Sequence, residues 1–318
     1  MGQSDDRHPD LWPALPLESW KDSYATLHMW SQIVGKVRLA LTPWLNHSWQ
    51  VPFYVTARGL GTSPIPFGGK IFDMEFDFLS HRLAVRDSRG GLAGLALEPM
   101  AVADFYRRTM RLLRELGIEV KISRTPSELA GPIPFDEDRQ HRSYDAVKAQ
   151  IFWQVLVQAD GLLKLFRTNF LGKASATHFF WGGFDLAVTR FSGRRAPPHP
   201  GGIPGLPDRI TREAYSHEVS SAGFWPGNDM FPHAAFYSYA YPEPPGFRQA
   251  AVPAGAEYNR DLGEFVLPYE TVRKAANPRA LVLEFLQATY CAAADLGGWD
   301  RAALDCAMGV PNKPRASG

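Results

Sequence analysis

The 318-residue sequence is short of cysteine, of charge imbalance and of long apolar runs, and each shortage removes a class of protein. Cys291 and Cys306 are the only cysteines; they sit close together near the C-terminal end without metal-type spacing, so neither a disulfide scaffold nor a thiolate metal site is expected. A reduced, cytoplasmic setting fits that pattern. Lys and Arg number 34 against 33 Asp and Glu, with no basic run, which argues against a nucleic-acid partner or a polybasic membrane contact. No window of about 18 residues is apolar and uncharged, so no spanning helix is expected. Residues 1–17 read as a polar tail with a proline-fixed lead-in, unlike the charged and then apolar order of a signal peptide.

The common catalytic signatures are missing as well. There is no GxSxG for a serine nucleophile, no GxGxxG or GxxxxGK[ST] for a phosphate, and no HExxH or His-x-His for a metal. No cofactor is therefore indicated by motif. A metal site would have to be assembled from His28, His47, His178 and His217. His217 and Glu218 are consecutive on an expected strand, so only one of the two can face a given pocket.

What is present is an ordinary globular composition, 45% hydrophobic and 21% charged, broken by 26 Pro and 28 Gly into short elements with many fixed turns. The spacing of Trp20, Tyr24, Leu27, Trp30 and Val34 predicts a helix over 18–34 ended by Gly35, with His28 and Gln32 on one face. KVRLALT then alternates as a strand, with Lys36, Arg38 and Ala40 pointing together. In KIFDMEFDFL an acidic row, Asp73, Glu75 and Asp77, backs onto an apolar row, Phe72, Met74, Phe76 and Phe78. A hairpin follows, then a helix from Glu98-Pro99 to Gly117, a strand and a Pro-rich acidic linker over 118–142, and a long helix from Tyr144. Strands and a last helix through LVLEFLQATYCAAADL complete the order.

Two landmarks recur. Gly35-Lys36 precedes Gly172-Lys173, and Val55-Thr56 and Val188-Thr189 are followed at the same offset by Gly68-Gly69 and Gly201-Gly202. With the helix, strands, helix order repeated, the expectation is an α+β fold of two tandem pseudo-duplicated lobes, 18–142 and 143–318, each a meandering antiparallel sheet flanked by helices. A cleft is expected where the lobes meet.

The densest chemistry lies in 170–202. Arg190, Arg194 and Arg195 close a strand at a Ser192-Gly193 turn, a cluster suited to a carboxylate or phosphate, although pairing with Asp185, Glu213 or Glu218 as a structural network is equally open. With Lys173 they would form an anion clamp. Lys36, Arg38, His28 and His47 would supply the opposing wall, and Trp181, Phe224, Trp225 and Tyr239 the flat apolar sides. Glu218, His217 or His178 would move a proton. The function expected is an enzyme of lyase, isomerase or hydrolase type acting on a small anionic, partly apolar metabolite. The alternatives are a non-catalytic binding or sensing protein on the same scaffold and a metal-dependent enzyme using the His and Glu ligands. Four stretches, LHMWSQIVGKVRLALTPWLNHSW, FRTNFLGKASATHFFWGGFDLAVTRFSGRRAPPHPGG, AYSHEVSSAGFWPG and GEFVLPYETVR, together resemble a bacterial family, domain of unknown function 5996. The resemblance covers nearly the whole chain and implies one full-length unit rather than a fusion.

Overall fold

The computed structural model describes residues 11–315. Its first long element, α1 (Lys21–Leu41), runs straight through Gly35, so the strand expected over KVRLALT is helix. The cause is packing. A Cβ on Gly35 would lie 2.3 Å from the Trp181 indole, so this glycine permits a close approach and does not cap a helix. Being two positions apart on a helix, Lys36 and Arg38 point apart instead of together.

The first sheet contains β1 (Tyr54–Val55), β2 (Gly59–Gly61), β3 (Ile65–Phe67), β4 (Lys70–Asp77), β5 (Arg82–Asp87) and β6 (Leu92–Ala96). Its order is β1-β2-β4-β5-β6, with β3 added to β4, and every pairing is antiparallel. The alternation in β4 is as its sequence predicts. Phe72, Met74 and Phe76 are buried toward α1 and α2 (Val102–Glu115), where Trp30 stacks on Phe105 at 4.6 Å. On the opposite face Asp73 pairs with Arg86 at 3.1 Å and Asp77 with Arg58 at 2.6 Å.

From 118 to 142 there is no strand among the described residues; Ile118 and Phe135 are buried, and the segment crosses the molecule without a ladder partner. Then α3 (Ala146–Arg167) leads into β7 (His178–Phe180), β8 (Asp185–Arg195), α4 (Asp208–Ala214), β9 (His217–Trp225), β10 (Ala235–Tyr241), β11 (Glu257–Asn259) and β12 (Glu264–Pro268). Three helices follow, α5 (Tyr269–Lys274), α6 (Pro278–Leu296) and α7 (Arg301–Leu304). The second sheet has the order β11-β12-β10-β9-β8-β7, with α3 and α6 on one face.

The sheets meet edge to edge. Phe53 and Phe179 exchange both backbone hydrogen bonds, at 2.8 and 2.9 Å, and α3 packs against β1 and β2 as well as β8 and β9. A single contiguous apolar core results. The recurrent landmarks fall in unlike places: Gly35 is inside a helix whereas Gly172 is in coil, and Val55 is in a two-residue edge strand whereas Val188 is within an eleven-residue one. What the halves share is the order long helix, antiparallel sheet, helix. No described helix is long and apolar enough to cross a membrane.

Candidate functional site

The site begins with the two-residue period of the second sheet. In β8, Leu186, Val188 and Arg190 face the helices, leaving Asp185, Ala187, Thr189 and Phe191 on the side the helices do not cover. The register places Ala187 beside Gly223 and Gly223 beside Tyr237, and likewise Thr189, Ser221 and Tyr239 in a row. This uncovered face is therefore a strip of carboxylate and hydroxyl groups. Gly223 matters here, because a Cβ on it would sit 2.6 Å from the Tyr237 hydroxyl. With no side chain in the way, Tyr237 on β10 reaches over β9 and donates to Asp185 on β8.

A cavity of about 520 Å³ lies over this strip, and its walls are mostly apolar, including Phe180, Trp181, Phe191, Ile203, Leu206 and Ile210. It is continuous with a wider cleft of about 1080 Å³, which shares Glu128, Asp185, Tyr237 and Tyr239 with it and adds Trp225 and Glu264. The α4 segment roofs the inner part. It is tied down by Trp44 Nε1 donating to Glu213 at 2.6 Å and His47 Nδ1 donating to the Ala214 carbonyl at 2.9 Å.

The wall opposite the sheet is organised by one row of α1. His28, Gln32 and Lys36 are spaced four apart and project along a single line. His28 Nε2 donates to the Gly182 carbonyl at 2.8 Å. Gln32 pairs with the Ser127 backbone through both amide atoms, at 2.9 and 2.7 Å. Lys36 Nζ donates to Ser127 Oγ at 2.9 Å. The row thus fixes two loops, 126–128 and 181–183, against each other. Glu128 in the first adopts φ of +60°, a left-handed conformation that costs a non-glycine residue energy and that clusters at functional sites. Its Oε1 lies 2.0 Å from where a Cβ on Gly182 would be. A Cβ on Gly183 would stand 2.8 Å from Asp185 Oδ1 and 3.9 Å from Glu128 Oε2, so the two carboxylates converge on one patch of glycine backbone.

The electrostatics follow from this enclosure. Glu128 is open to the water of the cleft while protein surrounds it at longer range; that surround, with Asp185 adding to it, raises its carboxyl to about 7, against the pull of Lys36. Burial raises Asp185 to about 6, restrained by the hydrogen bond from Tyr237. Glu264 is pushed up to about 8 by burial and by Asp185. Lys36 moves the other way, down to about 8, because burial disfavours its ammonium more than Glu128 supports it. No described residue hydrogen-bonds the Glu128 carboxylate, and neither Glu128, Asp185 nor Glu264 has an ion-pair partner among the described residues.

Of the residues singled out from the sequence, Lys36, Trp181, Trp225, Tyr239, His28 and His47 line this continuous space. Lys173 stands behind it, donating to His47 Nε2 at 2.7 Å and lying over the Trp49 and Phe191 rings. Others are elsewhere. Arg190 is completely buried on the helix side, its guanidinium 3.5 Å from the Phe166 ring centroid and 4.3 Å from that of Tyr290, with a hydrogen bond to Asn169 at 2.6 Å. Arg194 pairs with Glu218 at 2.7 Å and caps carbonyls at the end of α6, and Arg195 is exposed. Arg38 is buried against Ser63 and Tyr54, and Phe224 is core. His178 is buried among Trp49, Tyr54 and Phe180, which lowers its pKa to about 4. His217 contacts Ser216 and stands 6.3 Å from the His47 ring.

Glu128 escaped the sequence reading because it lies in what reads as linker. Asp185 is reached from the sequence only as a possible partner for the arginines, and for Tyr237 the available signal is the alternation of Tyr237, Tyr239 and Tyr241. Among the described residues no group of three or more His, Cys, Asp or Glu is arranged to hold a metal ion. No curated protein and no solved structure matches the chain. Residues 12–306, nearly the full length, match the family described as Family of unknown function (DUF5996), and the chain belongs to that family.

Proposed function

We propose that the cleft is an acid/base active site in which Glu128 transfers a proton to or from a small, largely apolar substrate. The observation that carries this reading is the convergence of Glu128 and Asp185 on the Gly182-Gly183 backbone beside an apolar cavity of about 520 Å³. A carboxyl at about 7 is divided between its two forms at neutral pH, which is where proton transfer in either direction is most efficient. Asp185, held by Tyr237, keeps Glu128 from ionising fully, and Tyr239 with Tyr215, their hydroxyls 2.7 Å apart, offers an orienting group. The anionic substrate expected from the sequence rests on arginines that stand outside the cavity, so the substrate is read here from the cavity's own walls.

The reading is tested with 5-nitrobenzisoxazole, an uncharged bicyclic probe that opens when a base removes its ring proton, the N–O bond breaking to give a coloured phenolate. General-base catalysis of about 10²-fold or more over buffer is expected, rising through a midpoint near pH 7. Glu128→Gln abolishes it. Turnover at the buffer rate, or equal turnover by Glu128→Gln, refutes the proposal.

We further propose that the two halves are tandem lobes of common origin, 18–142 and 143–318. Their shared element order and the isolated bridge between Phe53, the residue before β1, and Phe179 of β7 support this. A cytoplasmic location is supported by two unpaired cysteines.

A further inference from the structure

We propose that Lys36 is a covalent catalytic amine that forms an imine with an aldehyde or ketone whose apolar body occupies the cavity of about 520 Å³. This rests on reading the cavity as an acid/base active site, because the proton transfers of imine formation need Glu128. The argument begins with a comparison of two shielded lysines. Lys70 is held by Asp87 at 2.8 Å and also donates to the Leu116 carbonyl, so its ammonium is matched by a carboxylate. Lys36 is 5% exposed, yet its Nζ has one neutral partner, Ser127 Oγ, and no described carboxylate within ion-pair distance. A buried ammonium without a counter-ion is disfavoured, and the amine form carries the lone pair that attacks a carbonyl. Burial accordingly lowers its pKa to about 8.

Geometry supplies the rest. Nζ is bracketed by Ser127 Oγ and the Trp181 ring, whose centroid is 5.8 Å away, and Lys36, Ser127, Glu128 and Trp181 all line the cavity. The neighbour of Ser127 in sequence is Glu128. In the proposed step the Lys36 lone pair forms a C–N bond to the carbonyl carbon while the C=O π pair moves to oxygen, which takes a proton from the Glu128 carboxyl. The Glu128 carboxylate then accepts a proton from nitrogen and returns it to the departing hydroxyl, so one water leaves and the imine remains. Protonated, that imine withdraws electrons from the adjacent carbon, from which Asp185 can remove a proton. Lys36, the third residue of the His28-Gln32-Lys36 row, is held with the two loops that carry these carboxyl groups.

The full chain is incubated at pH 7 with 2,4-pentanedione, which condenses with an amine and loses water to give an ultraviolet-absorbing enaminone, and the modified lysine is mapped by peptide mass spectrometry. One adduct at Lys36 is expected, forming on the order of 10²-fold faster than at exposed lysines, in line with its larger neutral fraction. Cyclohexanone with cyanoborohydride should likewise leave a secondary amine at Lys36. Mapping on the unaltered protein avoids dependence on a variant that misfolds. Label confined to exposed lysines, with Lys36 unmodified, overturns the inference. If 5-nitrobenzisoxazole is still turned over through Glu128 in that case, the acid/base reading stands alone; if neither probe reacts, both fall.

Discussion

Replacing Gly35 by alanine should destabilise the protein, although the same change in an exposed helix interior stabilises by about 1 kcal/mol. The added Cβ would lie 2.3 Å from Trp181, where carbon atoms in contact sit about 3.5–4.0 Å apart, so the indole must retreat by more than 1 Å. It has little freedom to do so, being 6% exposed and anchored through Nε1 to the Val51 carbonyl at 2.9 Å. Overpacking of this kind costs about 1–3 kcal/mol, and weakening the indole hydrogen bond adds about 1 kcal/mol, which together exceed the propensity gain. Gly161 is the control: it lies within α3 and nothing stands within 4 Å of its Cβ position. With an unfolding entropy near 2 cal/mol/K per residue over 318 residues, each 1 kcal/mol moves Tm by about 1.5 °C. Differential scanning calorimetry at pH 7 should therefore show Gly35→Ala lower by about 2–5 °C and Gly161→Ala higher by about 1–2 °C. Shifts of the same sign would refute the account of α1 and of the Trp181 wall.

Two further outcomes are expected. The Glu264 carboxyl is raised in the fold to about 8 from an ordinary value near 4.3, so its contribution to stability is fully present below about pH 4 and is lost as pH rises through about 8. Glu264→Gln should flatten the fall of Tm between pH 5 and 8 and exceed the parent protein at pH 8; parallel curves would show that Glu264 titrates normally. Arg190→Ala removes a guanidinium stacked on Phe166 and Tyr290 and orphans Asn169 Oδ1, and should cost about 3 kcal/mol by thermal unfolding while leaving the 2,4-pentanedione rate at Lys36 within twofold. Loss of labelling at unchanged Tm would instead make Arg190 part of the site.

Local pattern was enough where burial of one face decides the element. The acidic and apolar rows of β4, the hairpin after it and the helix α2 are all present as the sequence predicts. It failed at Gly35, because a glycine that ends a helix and one that admits a neighbouring ring look alike until the ring is placed. The cleft was half legible for a similar reason. Lys36, Trp181 and Tyr239 are at the cavity, but the arginine cluster is drawn away: Arg190 has even parity with Leu186 and Val188 on β8 and so faces the helices, and Arg194 finds Glu218 and the end of α6. Glu128 becomes visible only when Gln32, 95 residues earlier in sequence, is seen gripping the Ser127 backbone.

The antiparallel exchange between Phe53 and Phe179 covers one strand edge of each sheet. An unpaired strand edge is a template for another molecule, and β1 and β7 would each be one. Here each edge blocks the other, with the two phenyl rings nearly parallel, 4° apart in tilt, across the join. Separating residues 18–142 from 143–318 would uncover an aromatic edge on each. Continuity of the chain thus keeps two aromatic edges against each other as well as building the cleft.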